Sequence, residues 1–175
     1  GGHVAIVRAD DRTTTLKTRY IGGVQSAARA VQHVLRVDRE DTTPIDEAVV
    51  EEVLAKIAAV INDCNVMLIS DYGKGLLTTD LLQRVIATAR AAGKPVLVDP
   101  RLGDDFSMYR GAAGITPNRL ETERGTGIAP RDADSMTAAA RQLVASLELE
   151  FALITVDRDG LYVHAENNVS KLLPS

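Results

Sequence analysis

The stretch that most constrains the fold runs from Val66 to Gly75 and reads Val-Met-Leu-Ile-Ser-Asp-Tyr-Gly-Lys-Gly. Val66 to Ile69 form a continuous apolar run of strand length, the pattern of a strand buried on both faces of a parallel sheet. The chemistry then changes within one residue. Ser70, Asp71 and Lys74 follow where the strand ends, and Gly73 and Gly75 allow a tight turn and close backbone approach by a ligand. Open α/β sheets bind ligands outside the carboxyl ends of their strands, so Asp71 and Lys74 are the first site candidates.

The same grammar recurs downstream. Pro95 to Val98 is a second apolar run, ending in Asp99-Pro100-Arg101, and Gly114 to Thr116 is a third, ending in Pro117-Asn118. Taken singly, Asp71 to Gly75 reads as a solvated loop and Asp99-Pro100 as a helix start with proline at its first position. Three successive strands that deliver polar groups at the same end predict one shared cleft.

Composition narrows the class. The chain has 175 residues, 45% of them hydrophobic, which is enough for a substantial core. A net charge of −4 gives no bulk electrostatic reason to bind nucleic acid or a membrane surface. No run approaches the roughly 18 apolar residues of a membrane span, and no signal peptide opens the chain. One cysteine, Cys64, excludes an internal disulfide, and with three scattered histidines it supports no zinc site. A cytoplasmic protein is expected.

In chain order, Val4 to Arg8 reads as β, and Thr13 to Ile21 alternates, with Leu16, Thr18 and Tyr20 on one face and Lys17 and Arg19 on the other. Gly22-Gly23 ends that strand. After a small-residue connection over Gln25 to Ala30, Val31 to Asp38 resumes the strand pattern, giving a half-exposed antiparallel pair. Lys17 and Arg19 either form a solvated face or grip an anion. Pro44 opens a helix to about Asn62. Thr78-Thr79-Asp80 offers N-caps for a second helix to about Ala92, with Leu81, Leu82, Val85, Ile86 and Ala89 as its stripe. Strand, helix and strand within about 35 residues make a parallel crossover unit. A helical turn is expected over Asp104 to Tyr109. On spacing alone, Asn118 and Glu121 form a capping box for a helix that Gly125 to Gly127 interrupts. A further helix is expected over Asp132 to Ser146, and then a strand over Phe151 to Val156. Asp157 to Gly160 makes a hairpin turn into Leu161 to His164, and a last strand starts near Val169, ahead of the final residue Ser175.

Together these residues resemble the ribokinase-like (PfkB-type) sugar kinases, and within them the bacterial D-glycero-β-D-manno-heptose-7-phosphate kinases. The resemblance rests on Thr14 to Arg19, Leu35 to Asp38, Ser70 to Gly75, Pro95 to Arg101, Tyr109 to Ala112, and Thr116-Pro117-Asn118 with Glu121, in consistent order along nearly the whole chain. It implies an α/β fold with a mostly parallel doubly wound sheet flanked by helices. Residues 1–43 would form a small antiparallel β-lid with edge strands, and residues 44–175 the central part of the kinase core. It implies transfer of a phosphoryl group from ATP to the anomeric hydroxyl of the heptose 7-phosphate, in ADP-heptose and lipopolysaccharide core synthesis. In that resemblance Asn118, Arg119, Leu120 and Glu121 meet the ATP phosphates, and Glu121 with Asn118 serves Mg²⁺. A carboxylate suits an ion that keeps several of its waters. Thr155 and Gly160 match a nucleotide-side turn, although Asp157 stands where glycine is common. Lys17, Arg19, Asp71, Lys74, Asp99 and Arg101 line the acceptor side, the cations being suited to phosphate. Partners would be a sugar phosphate and ATP, with no nucleic acid and no membrane, and the lid offers a surface for a homodimer.

Departures from the pattern matter equally. The family's opening strand with its sugar-binding Asp and Gly-Gly element does not precede Gly1, and the Gly-Ala-Gly-Asp element that supplies the base occurs nowhere in the chain. The resemblance puts that base beyond Ser175. A fragment of a longer enzyme is therefore expected, inactive alone, with no base assignable. The alternatives are a sibling sugar kinase with another acceptor and a non-catalytic α/β binding module.

Overall fold

The computed structural model describes residues 6–23, 31–165, 167 and 169–174. Two sheets organise them. Strands β1 (Leu16–Gly23) and β2 (Val31–Arg39) form an antiparallel hairpin, and six strands form the main sheet in sequence order. These are β3 (Met67–Ser70), β4 (Val96–Asp99), β5 (Gly114–Ile115), β6 (Phe151–Thr155), β7 (Leu161–Ala165) and β8 (Ser170–Leu173). The first four pair in parallel, β7 pairs antiparallel with β6, and β8 antiparallel with β7. This is the mostly parallel α/β architecture that the repeated apolar runs imply.

Helices α1 (Glu47–Val60), α2 (Thr79–Ala91), α3 (Arg119–Thr126) and α4 (Ala133–Leu147) fill the connections. The Thr78 side chain caps α2 by accepting from the Leu81 N–H, and all five stripe residues are buried. Burial of its four large stripe side chains contributes about 1.5–3 kcal/mol each before ordering entropy is charged. Asp132 caps α4 in the same way, and that helix buries six residues, Met136 to Leu147. Strand register explains where the core sits. Ile69, Val98, Ile115 and Ala152 pair in one row across β3 to β6, so their side chains share a face, and all four are buried.

Several expectations need correction. Val66 to Ile69 are not buried on both faces. Leu68 is 73% exposed, because β3 pairs only with β4 and the buried sheet side chains all belong to the opposite face. Residues 6–8 carry no strand, while Val4 and Ala5 lie outside the described residues, as does the Gln25 to Ala30 connection. Ser175, the residue beyond which the catalytic base is expected, lies outside them too, so the structure bears on no base. The last strand starts at Ser170 and ends at Leu173. Gly22 and Gly23 are the last two residues of β1, which shifts register between Tyr20 and Ile21. Helix α1 starts at Glu47 behind an Asp46 cap rather than at Pro44. Gly125 lies inside α3, which stops at Gly127, a C-cap in the left-handed region at φ 74°.

Candidate active site

Because strand order equals chain order, the carboxyl ends of β3, β4, β5 and β6 stand in one row along a sheet edge. At the usual 4.8 Å spacing that row is about 14 Å long. Contacts run along it without a break. At the β3 end, Ser70 Oγ donates to Asp99 Oδ2 at 3.1 Å, and the Asp71 N–H donates to the Asp99 carbonyl at 2.9 Å. Gly73, at φ 64°, makes the turn, and a Cβ there would meet the Arg101 side chain at 3.3 Å.

Asp71 is buried, and both its oxygens are engaged. The Gly73 N–H donates to Oδ1 at 2.7 Å and the Tyr109 hydroxyl to Oδ2 at 2.8 Å. Tyr109 is fully enclosed, and its hydroxyl accepts from the Arg101 N–H at 3.3 Å. Burial first, and the Asp71 carboxylate second, push that phenol above its ordinary value. Asp71 thus fixes the shape of the turn. The close approach at Gly75 is also internal, because a Cβ there would lie 2.0 Å from the Thr43 carbonyl oxygen, so the chain's own backbone takes the space assigned to a ligand.

Facing this turn across a cavity of about 770 Å³ is the polar face of the hairpin. Lys17, Arg19 and Arg36 line the cavity from the hairpin, and Ser70, Asp71 and Lys74 line it from the sheet. Arg19 and Arg36 are directly opposed across the two strands, an arrangement in which like charges destabilise a hairpin. Arg36 is paired with Asp38 at 3.1 Å. Lys17 is held by Asp38 and Glu40, each at 3.1 Å, and the second oxygen of Glu40 takes Lys74. These bonds, that of Glu40 first, raise the Lys17 ammonium above its ordinary value, while Lys74 first and Lys17 second hold the Glu40 carboxyl below its own.

At the other end of the row, Asn118 and Glu121 form the capping box at the start of α3. The Glu121 N–H donates to the Asn118 side chain at 2.9 Å and the Asn118 N–H to Glu121 Oε2 at 2.8 Å. The Glu121 carboxyl is nevertheless raised above its usual range, by burial first, against the Asn118 N–H, with the Asp99 charge adding to the rise. A carboxyl raised by burial and by a second carboxylate's charge fits a divalent cation, whose own charge offsets that repulsion. Among the described residues no cluster of three or more His, Cys, Asp or Glu forms a closed cage.

Arg119 is committed elsewhere. Its guanidinium pairs with Asp157 at 3.3 Å and Asp159 at 2.8 Å and donates to the Pro130 carbonyl. This ties α3 to the β6–β7 turn, where Asp157 takes a left-handed φ of 52° that glycine adopts at less cost. Leu120 is exposed. The Thr155 N–H donates to the Pro117 carbonyl at 2.9 Å, and Gly160, at φ 106°, is packed under Leu173. The structure therefore gathers Lys17, Arg19, Asp71 and Lys74 at one end of the row, Asp99 and Arg101 in the middle, and Asn118, Glu121 and Thr155 at the other. Arg36, Glu40 and Tyr109 were not among the site candidates, although Arg36 and Tyr109 lie in stretches that carry the resemblance. Only the hairpin register, which sets Arg36 against Arg19, could have revealed the first of them.

No family model matches the chain. It is 39% identical over 168 residues to the bifunctional protein HldE of Paramagnetospirillum magneticum, covering 95% of this chain and 33% of that protein. It is 42% identical over 164 residues to the HldE of Helicobacter hepaticus, covering 94% and 32%. Among solved structures, phosphofructokinase-2 from Escherichia coli in complex with potassium superposes with a TM-score of 0.60 at 14% identity, over 83% of this chain and 46% of that one. Arabidopsis thaliana ribokinase complexed with ribose and ATP gives 0.57 at 14% identity, over 83% and 44%. The chain therefore carries the ribokinase-like fold and matches, along nearly all of its own length, about a third of the length of the HldE bifunctional proteins.

Proposed function

We propose that the whole protein is a carbohydrate kinase that moves the γ-phosphoryl group of ATP to the anomeric hydroxyl of D-glycero-β-D-manno-heptose 7-phosphate, giving the 1,7-bisphosphate for ADP-heptose and lipopolysaccharide core synthesis in the cytoplasm. The observation that carries this reading is the cavity lined by Lys17, Arg19, Arg36 and Lys74, one end of a row whose other end is the Asn118 and Glu121 capping box. Cations at one end suit a phosphorylated acceptor, and the Glu121 carboxylate at the other suits Mg·ATP. The likeness to HldE supports the same assignment.

In this reading Lys17, Arg19 and Arg36 bind the 7-phosphate, Lys74 and Arg101 face the transferring group, and Asp99 meets the sugar. Asn118 and Glu121 hold Mg²⁺ through its waters, and that ion supplies charge neutralisation at the phosphates. Thr155 and Gly160 shape the nucleotide side, and Arg119 and Leu120 act there through the backbone of the α3 start. Phosphoryl transfer rests on such positioning and electrostatics. The apolar face of the hairpin, with Leu16, Tyr20, Leu35 and Val37 each about half exposed, is the surface for a homodimer. No described helix is long and apolar enough to cross a membrane.

Calorimetric titration of the whole protein tests the acceptor. Heptose 7-phosphate is expected to bind at least tenfold more tightly than fructose 6-phosphate. The reverse order selects a sibling sugar kinase, and no binding of either refutes the kinase reading.

A further inference from the structure

We infer that Glu40 is a positioning residue that pre-assembles the anion-binding end of the cavity by holding Lys17 and Lys74 together. The inference rests on the cavity being the acceptor site. Lys17 belongs to the hairpin and Lys74 to the turn after β3, so their ammonium groups come from separate sheets. One carboxylate joins them, Oε1 accepting from Lys17 at 3.1 Å and Oε2 from Lys74. Glu40 is itself anchored. The Arg12 guanidinium donates to the carbonyls of its neighbour Asp41 at 3.0 Å and of Lys74 at 2.9 Å, and Thr43 packs beneath Gly75. The carboxylate is four-fifths enclosed, with 19% of the side chain exposed.

The chemistry follows from the donor count. An ammonium has three N–H donors. Lys17 spends two, on Asp38 and Glu40, and Lys74 spends one on Glu40. One donor on Lys17 and two on Lys74 remain for an incoming anion. Without Glu40, the Lys74 stem would have to be ordered by the ligand itself and Lys17 would keep only Asp38, and two like charges would approach with nothing between them. Glu40 does both before the ligand arrives. Its negative charge also weakens the field on the anion, but that loss falls on a partly exposed, screened group. Prior ordering therefore outweighs it.

The test uses the whole protein with Glu40→Gln and Glu40→Asp. Three affinities are measured by titration: for heptose 7-phosphate, for the same heptose without its phosphate, and for Mg·ATP. Glu40→Gln is expected to weaken heptose 7-phosphate about tenfold and to leave the other two within about twofold, with Glu40→Asp recovering part of the loss. Unchanged or tighter binding of the phosphorylated sugar by Glu40→Gln overturns the inference, since Glu40 would then be neutral or a competitor of the anion. Equal losses for all three ligands overturn it too, by making Glu40 merely structural. A wild type that does not prefer the phosphorylated heptose overturns the acceptor-site reading first and the inference with it.

Discussion

Replacing Tyr109 by Phe isolates the bond on which the shape of the β3 turn depends. The substitution removes one oxygen atom from a fully buried ring and leaves its packing unchanged. Asp71 Oδ2 loses a donor at 2.8 Å, and the Arg101 N–H loses an acceptor at 3.3 Å. Hydrogen bonds to a charged group contribute about 1.5–3 kcal/mol, and a buried group left without its partner keeps its desolvation cost. Asp71 is only 6% exposed, so water replaces little of the loss, though Oδ1 keeps the Gly73 N–H. Easier burial of Phe returns up to about 1 kcal/mol. The net expectation is a destabilisation of about 2 kcal/mol. In urea unfolding this shifts the midpoint without changing the slope, and in a chain of this size it lowers the melting temperature by roughly 4–8 °C. A change below about 0.5 kcal/mol would refute the claim that Asp71 is a buried carboxylate dependent on this phenol.

Two further expectations test the site and its scaffold. Glu121→Gln keeps an oxygen for the Asn118 N–H but removes a charge disfavoured by burial and by Asp99. Because burial raises that carboxyl, its stabilising contribution is full below the ordinary value of 4.5 and is lost as pH rises. The variant should therefore be more stable at pH 7 by a few tenths to about 1 kcal/mol, the half-exposed site being screened. Urea unfolding should show the gain vanishing below about pH 4, while Mg·ATP-dependent turnover of the whole protein falls at least tenfold. Gly75→Ala should destabilise by about 3 kcal/mol or more, since left-handed strain of about 1–2 kcal/mol is joined by a 2.0 Å clash with Thr43. Gly93→Ala has the same sign of φ but no atom within 4 Å, so unfolding curves should show the strain alone.

What was legible in the sequence was local. The α2 stripe, a cap within Thr78 to Asp80, and the Asn118–Glu121 box depend on spacings of three and four residues, and the structure reproduces them. The polar groups after β3, β4 and β5 were legible because apolar runs stop abruptly. What remained hidden depends on partners far apart in the chain. Glu40 meets Lys74 across 34 residues, and Tyr109 meets Asp71 across 38. Leu68 looked like a core residue because composition alone does not say which side of a strand receives helices. The role of Gly75 was misassigned for a related reason, since close approach is visible in a glycine but the approaching atom is not.

The sequential strand order has an evolutionary corollary. Sheet position maps monotonically onto chain position, so the two ends of the row are written in separate blocks, residues 17–74 and residues 118–155. Under the proposed function, substitution or recombination confined to the earlier block would retarget the acceptor while the later block, with its capping box and Asn118–Thr155 bridge, stays untouched. A scaffold arranged in this way can diversify what one end of its row binds without rebuilding the other.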